Sequence, residues 1–153
     1  MNRKTEKKGW MLAVACCLFA STGIQAQTVT PNELAGTWTL QKVEVVTLQG
    51  STVIDTQSYL PAIYTGMIYF ETIQCSNSGA VVYSGKGDQS LLLEAGKFHT
   101  PNSTDIVFQN SKIGYVFNFL WNTPNTVFVL EKKKHVSQEN NTTANIRYFY
   151  QKQ

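Results

Sequence analysis

The sequence predicts an all-β domain in which antiparallel strands form a sandwich or a barrel. The chain is rich in Tyr, Phe, Thr, Val, Ser and Asn, a composition that favours strands and polar turns over helices. Short apolar segments alternate with clusters of Gly, Asn, Asp and Ser, which supply the backbone conformations and hydrogen bonds of turns. The length of 153 residues corresponds to one domain.

The first 26 residues are predicted to be a signal peptide. A basic stretch at 3–8 precedes an apolar run at 10–20, which has the length of a signal-peptide core and is too short to cross a membrane. Ala26 lies where cleavage is expected, so the domain is predicted to span residues 27–153. A lipid anchor on Cys16 is less favoured because the apolar run continues past it. The expected location is the periplasm, the cell surface or the extracellular medium.

Removing the signal peptide changes the charge of the chain. It removes four of the 13 Lys and Arg and one of the ten Asp and Glu, which leaves nine of each and no net charge. A nucleic-acid-binding domain is expected to carry a basic surplus, so no nucleic acid partner is predicted. Cys75 is then the single cysteine, without a second thiol for a disulfide. No further apolar segment has the length of a membrane helix, so an integral membrane protein is not expected.

A short helical turn is expected at 30–34, because Thr30 is a suitable N-cap, Pro31 suits the first helical position and Glu33 completes a capping box. From there to the end of the chain, strands are predicted. They lie at 36–48, 51–56, 66–73, 80–84, 90–94, 105–108, 115–120, 126–131 and 144–151. The segment 59–65 is predicted to be a long connection or a lid, because Pro61 cannot donate to a β-ladder.

An aromatic stripe is predicted on one strand, because side chains two residues apart share a face. The stripe consists of Tyr115, Phe117, Phe119 and Trp121. Facing inward around a void, these side chains would line a ligand pocket. Filling the interior themselves, they would leave no space for a ligand, and facing outward they would favour a contact with another macromolecule.

A Gly-x-Trp motif, Gly36-Thr37-Trp38, opens the first predicted strand. Glycine before a large aromatic residue permits a close approach of the backbone. The motif and its position resemble the calycin superfamily, which contains the lipocalins and the fatty-acid-binding proteins. The layout of the whole chain is similar to that of small exported lipocalin-like proteins of Bacteroidetes. The resemblance implies an antiparallel up-and-down β-barrel of about eight to nine strands over residues 27–153.

The same resemblance implies that a cation from the end of the barrel packs over the first-strand tryptophan. Arg147 is the one arginine of residues 27–153, and it is predicted to stack on Trp38 with a gain of about 1 kcal/mol. Gly36, Trp38 and Arg147 are therefore the expected structural signature. Fatty-acid-binding proteins hold a carboxylate with Arg-x-Tyr in their last strand. Phe149 stands at the Tyr position of that pattern, so a ligand role for Arg147 stays an alternative.

The run Glu131-Lys132-Lys133-Lys134-His135 is predicted to be a solvated loop that blunts an edge strand. Contact with an anionic glycan, lipid A or a membrane is the alternative. His99 and His135 are the only histidines, and their spacing is not typical of metal ligands. No Gly-x-Ser-x-Gly elbow occurs. Three strand glutamates, Glu44, Glu71 and Glu94, are candidate paired acids that are expected to face solvent.

These patterns lead to two functional hypotheses, and no catalytic residue, metal site or cofactor is predicted. The first is an exported lipocalin-like protein that holds a small apolar or amphipathic molecule in its barrel. Its candidate ligand residues are Tyr115, Phe117, Phe119, Trp121 and Arg147. The second is a structural or interaction module of the cell envelope, with a filled barrel and no small ligand. An enzyme is not expected, and the ligand and oligomeric state are left open.

Overall fold

A computed structural model of the protein describes residues 28–85, 95–137 and 140–153, with His135 and Ser137 described by their backbone alone. The regular structure in these residues is one helical turn, α1 (Pro31–Leu34), and nine strands. The strands are β1 (Gly36–Gln49), β2 (Thr52–Tyr59), β3 (Thr72–Cys75), β4 (Ala80–Ser84), β5 (Gly96–His99), β6 (Asp105–Gln109), β7 (Gly114–Thr123), β8 (Val127–Ser137) and β9 (Thr142–Lys152). The predicted signal peptide and the predicted strand at 90–94 lie outside the described residues.

Eight strands close into an antiparallel barrel, and one further strand lies at its side. The order around the barrel is β1-β3-β4-β5-β6-β7-β8-β9, and β9 pairs with β1 to close it. The first half of β1 pairs with β3, whereas the second half, Val43–Gln49, pairs with β2. β2 is therefore the extra strand. The predicted all-β antiparallel barrel is confirmed.

The second half of β1 is the centre of a four-stranded sheet in the order β2-β1-β9-β8. One transverse row of this sheet runs through Gln57, Val45, Ile146 and Lys132. Because Val43 and Tyr148, two residues away on their strands, are buried in the core, the side chains of this row share the inner face. The row lies several residues along β1, β8 and β9 from the end of the barrel that α1 covers.

The helical turn forms as its capping residues predict. The Glu33 carboxylate accepts hydrogen bonds from the Thr30 backbone N–H at 2.7 Å and from its hydroxyl at 2.8 Å. This holds the entry to the turn, and Leu34 at its end is fully buried. The predicted turns after β7 and β8 contain Asn125 and Asn141, both with positive φ, a conformation that asparagine tolerates better than most residues.

The strand predicted at 66–73 is largely wrong, since only its last two residues join β3. Ile68 and Phe70 are buried at strand-like spacing, but residues 60–71 form a connection and not a ladder strand. Two carbonyls of this connection are satisfied by tyrosines instead of a neighbouring strand: Tyr148 donates to Met67 and Tyr150 donates to Phe70. The segment thus has the alternating burial of a strand without the backbone pairing of one. Conversely, β5 is an observed strand at a position where none was predicted.

Candidate functional site

The end of the barrel next to α1 is built around Trp38. Its indole is fully buried and donates a hydrogen bond to the Leu34 carbonyl at 2.8 Å. The Lys152 ammonium lies 5.4 Å from the centroid of the Trp38 ring, within the range of a cation–π interaction. Gly36 has a φ of +129°, and a Cβ there would lie 2.7 Å from Cε of Lys152. The Gly-x-Trp motif therefore holds a close approach between the first and last strands.

The cation over Trp38 is Lys152 and not Arg147, so the predicted stacking of Arg147 is wrong. In β9 the inward side chains are Tyr148 and Tyr150, and Lys152 follows at the same spacing of two, whereas Arg147 has the opposite phase. Register supports this assignment, because Trp38 is the cross-strand partner of Lys152.

Arg147 lies on the outer face of the sheet, where it pairs with Glu131 at 2.6 Å. Its cross-strand neighbour on β1 is Glu44, which pairs with Lys42 at 2.7 Å. Glu131 also accepts a hydrogen bond from Asn145. Arg147 therefore has a carboxylate partner within the protein, and its side chain does not lie on the inner face. Glu44 lies on this outer face with Lys42, but its side chain is only 18% exposed, so the expectation that it faces solvent holds only in part. The predicted candidate Glu94 lies outside the described residues.

The aromatic stripe on β7 faces inward, and its four rings are divided between two clusters. Phe117 and Phe119 are buried, and Tyr115 and Trp121 are partly buried against the core. Near α1, ring contacts with centroid distances of 4.7 to 6.3 Å join Trp38, Phe119, Trp121, Phe128 and Tyr150. Further along the barrel, a second set of contacts joins Tyr69, Phe70, Tyr83, Phe98, Phe108, Tyr115, Phe117 and Tyr148. Much of the barrel interior is thus occupied by aromatic side chains.

The connection 60–71 lies against this second cluster. Ile68 and Phe70 are buried, and the hydroxyls of Tyr148 and Tyr150 bind its carbonyls at 2.8 and 2.7 Å. Burial raises the pKa of both tyrosine hydroxyls above the usual value of about 10. The prediction that residues 59–65 are a connection is confirmed for 60–65, whereas Tyr59 ends β2.

The same connection exposes three large apolar side chains. Leu60, Ile63 and Met67 are each 64% exposed. The connection therefore packs on the aromatic cluster with one side and presents apolar side chains with the other.

The mouth cluster is formed by Val45, Tyr69, Tyr115, Lys132 and Ile146, on the inner face and away from α1. Tyr69 and Tyr115 contact each other with ring centroids 5.5 Å apart, and both rings are only partly buried. Val45, Ile146 and Lys132 are neighbours across the strands β1, β9 and β8. Aromatic, aliphatic and cationic side chains thus meet where the fully buried core ends.

Lys132 lies in a paired strand and not in the predicted solvated loop. The run 131–135 was predicted as a solvated loop at an edge strand, but β8 continues to Ser137 with β9 beside it. Phe128 and Leu130 are buried, and Lys132 follows them at a spacing of two, so its side chain turns inward. That alternation is the signal in the sequence that would have found it.

The Lys132 ammonium is positioned by one backbone carbonyl and two aromatic rings. Its Nζ donates to the Val116 carbonyl at 3.0 Å. It also lies 5.2 Å from the ring centroid of Phe117 and 5.6 Å from that of Tyr69. Lys133 and Lys134 are exposed. The three consecutive lysines therefore differ in surroundings, and one of them lies against aromatic rings.

Cys75 ends β3 and is a free, buried thiol. Burial raises its pKa to about 12, so the thiolate that would act as a nucleophile is scarce near neutral pH. Its environment fits a packing role in the core. Among the described residues, no group of three or more His, Cys, Asp and Glu side chains lies together as metal ligands do.

Comparison with protein-family models, with curated proteins and with solved structures finds no match to this chain. In the part of the chain that the structure describes, no helix has the length and apolar character needed to cross a membrane.

Proposed function

We propose that the protein is an exported, lipocalin-like binding protein that holds a small apolar or amphipathic molecule at the mouth cluster. The observation that carries the proposal is the pair Tyr69 and Tyr115, two contacting rings that stay partly open beside Ile146 and Lys132. Partly open aromatic and aliphatic side chains with one convergent polar group are typical of small-molecule sites. The proposal moves the ligand from the barrel centre to its mouth, because aromatic rings occupy the interior.

The candidate residues change accordingly. Tyr115 and Phe117 remain candidate ligand residues. Tyr115 lines the site beside Tyr69, and Phe117 lies beneath the Lys132 ammonium. Phe119 and Trp121 belong to the cluster around Trp38 and support the barrel. Arg147 is no longer a candidate ligand residue, since it pairs with Glu131 on the outer face.

Occlusion of the mouth tests this function. Val45→Trp would place an indole on the inner face beside Ile146, and Val82→Trp would place one on an outward, 38% exposed position of β4. Titration with N-phenyl-1-naphthylamine, a neutral fluorescent probe of apolar sites, should show saturable binding by the parent protein and by Val82→Trp, and at least tenfold weaker binding by Val45→Trp. Equal affinities in the three proteins would place the probe elsewhere and contradict the proposal.

A filled-barrel interaction module of the cell envelope is the second candidate, and the aromatic contacts through the interior favour it. The exposed side chains Leu60, Ile63 and Met67 would then be contact residues. Absence of saturable binding by the parent protein, together with no small molecule in native mass spectra of protein isolated from its own host, would favour this candidate over the first.

A further inference from the structure

We infer that Lys132 is an anion-recognition residue, so that the molecule at the mouth is amphipathic and carries a negatively charged group. This inference rests on the proposed function and specifies its ligand class. The chemistry required is an anionic oxygen group, whether carboxylate, sulfonate or phosphate, attached to an apolar or aromatic body.

The hydrogen-bonding capacity of Lys132 supports this inference. An ammonium group has three N–H donors, and the Val116 carbonyl accepts from one of them. Its contacts with Phe117 and Tyr69 are with the faces of the two rings. An anionic oxygen at the mouth would accept from the remaining donors and form a charge-assisted hydrogen bond, which is stronger than a neutral one.

The two faces of the four-stranded sheet carry different charges. Within the described ranges, the ion pairs of this sheet join Lys42 to Glu44 and Arg147 to Glu131 on the outer face. The next row on the inner face contains Lys134 on β8 and Asp55 on β2. The strands β9 and β1 lie between these two residues, so the Asp55 carboxylate is on a different strand from Lys132 and not next to it. The carboxylates of Glu44 and Glu131 thus lie on the opposite face of the sheet from Lys132.

The side chains around Lys132 indicate the apolar body that the site accepts. Lys132 projects beside Ile146, its cross-strand partner, and over Tyr69, whose ring contacts Tyr115. A charged head at Lys132 would therefore leave the rest of the molecule against these side chains. This geometry favours an anion with an attached apolar body over a free inorganic ion.

Lys133 provides a matched control on the neighbouring residue. It has the same charge and lies in the same strand, but it alternates to the outer face and is exposed. A change from lysine to glutamine removes one positive charge at either position. A difference between the two variants therefore reports the position of the charge.

Two probes with a common aromatic body separate the contribution of the anion from that of the body. 1-Anilinonaphthalene-8-sulfonate carries a sulfonate, and N-phenyl-1-naphthylamine is the same skeleton without it. Lys132→Gln is expected to weaken binding of the sulfonate about tenfold or more and to change binding of the neutral probe less than about twofold. Lys133→Gln is expected to change neither probe more than twofold, and Lys132→Arg to keep most of the affinity for the sulfonate.

Each outcome decides one of the two proposals. Equal loss of sulfonate affinity in Lys132→Gln and Lys133→Gln would indicate general surface charge and overturn the inference, as would equal loss of both probes in Lys132→Gln. In both cases, binding of the neutral probe by the parent protein would leave the proposed function standing. If neither probe binds the parent protein, the proposed function itself fails.

Competition with dodecanoate, dodecyl phosphate and dodecanol then identifies the head group. A carboxylate or phosphate that displaces the sulfonate probe from the parent protein, with dodecanol at least tenfold weaker, supports the inference. Equal displacement by dodecanol overturns it. Unchanged thermal unfolding midpoints of the variants would show that the differences in affinity do not arise from loss of the fold.

Discussion

The two ends of the barrel each place a lysine over aromatic rings, but in different surroundings. Near α1, Lys152 lies over Trp38, which is fully buried and has its indole N–H bonded to a carbonyl. At the mouth, Lys132 lies over Phe117 and Tyr69, and Tyr69 is only partly buried. The same interaction closes the structure at one end and leaves donors and ring surface available at the other. The role of a cation–aromatic pair therefore depends on how deeply the ring is buried and on whether the ammonium keeps donors for another molecule.

The largest expected effect is the loss of Trp38. Trp38→Ala should lower the free energy of unfolding by about 3–5 kcal/mol, because it removes a fully buried ring from the closed end. Trp121→Ala removes a partly buried ring of the same cluster, 6.0 Å from Trp38, and should cost less than half as much. Urea unfolding at neutral pH measures both. Equal losses would show that Trp38 is not the centre of that cluster.

The close approach at Gly36 should have the next largest effect. Gly36→Ala forces alanine into a φ of +129° and should cost about 1–3 kcal/mol. Its methyl group would also displace Cε of Lys152, 2.7 Å away, which is the flexible end of a side chain. Gly114→Ala is the comparison, because its added Cβ would meet its nearest neighbour at 3.7 Å. Its unfolding midpoint in urea should stay close to that of the parent protein, and a shift as large as that of Gly36→Ala would argue against the strained approach.

The buried tyrosine hydroxyls predict a loss of stability at alkaline pH. Burial raises the folded-state pKa of Tyr150 above its unfolded value of about 10. Its contribution to stability is therefore present below pH 10 and is lost as the pH rises above it. Tyr150→Phe should cost about 1 kcal/mol at pH 7, because the Phe70 carbonyl loses its donor.

The same variant should show a shallower decline in unfolding free energy between pH 9 and pH 11.5 than the parent protein. Urea midpoints across this range measure the two slopes. Parallel declines would mean that Tyr150 does not contribute to the alkaline loss.

The smallest effects are expected from Lys152, which covers Trp38, and from Arg147, which was predicted to cover it. Lys152→Gln should cost about 0.5–1 kcal/mol and alter the near-ultraviolet circular dichroism of Trp38, which its ammonium overlies. Arg147→Gln removes a partly exposed pair with Glu131 and should cost between about 0 and 1 kcal/mol. A change in the tryptophan spectrum with Arg147→Gln alone would reverse this assignment.

Arg147→Gln also tests the revised ligand site. Because the guanidinium lies on the outer face with Glu131, the variant should bind N-phenyl-1-naphthylamine and its sulfonate analogue with unchanged affinity. A selective loss of the sulfonate would return Arg147 to the ligand site and place the anion on the opposite face from Lys132.

Much of the fold follows from local patterns, and the exceptions have physical causes. The strand at 80–84 was predicted with its observed bounds, because alternation and flanking turn residues act over a few positions. Most of the strand predicted at 66–73 is a connection instead, in which Tyr148 and Tyr150, about 80 residues away, donate to the Met67 and Phe70 carbonyls. Such long-range bonds leave no mark within a window of the sequence.

The candidate site was predicted in part. The β7 stripe faces inward as one of its two expected orientations, and Tyr115 and Phe117 take part in or beside the mouth cluster. The division of the stripe between two clusters depends on which rings of other strands reach it. Lys132 was missed because three consecutive lysines were interpreted by composition, although the alternation after Phe128 and Leu130 predicts an inward side chain.

The sequence by itself determined the all-β class, the helical turn before β1 and the shared face of the aromatic stripe. These depend on alternation, capping and turn residues, which act between near neighbours in the chain. The tertiary structure alone decided that Lys152 covers Trp38, that Arg147 pairs outside with Glu131, and that Lys132 lies over the rings at the mouth. Those contacts depend on the register between strands distant in sequence, and a shift of one residue would turn every one of these side chains to the other face.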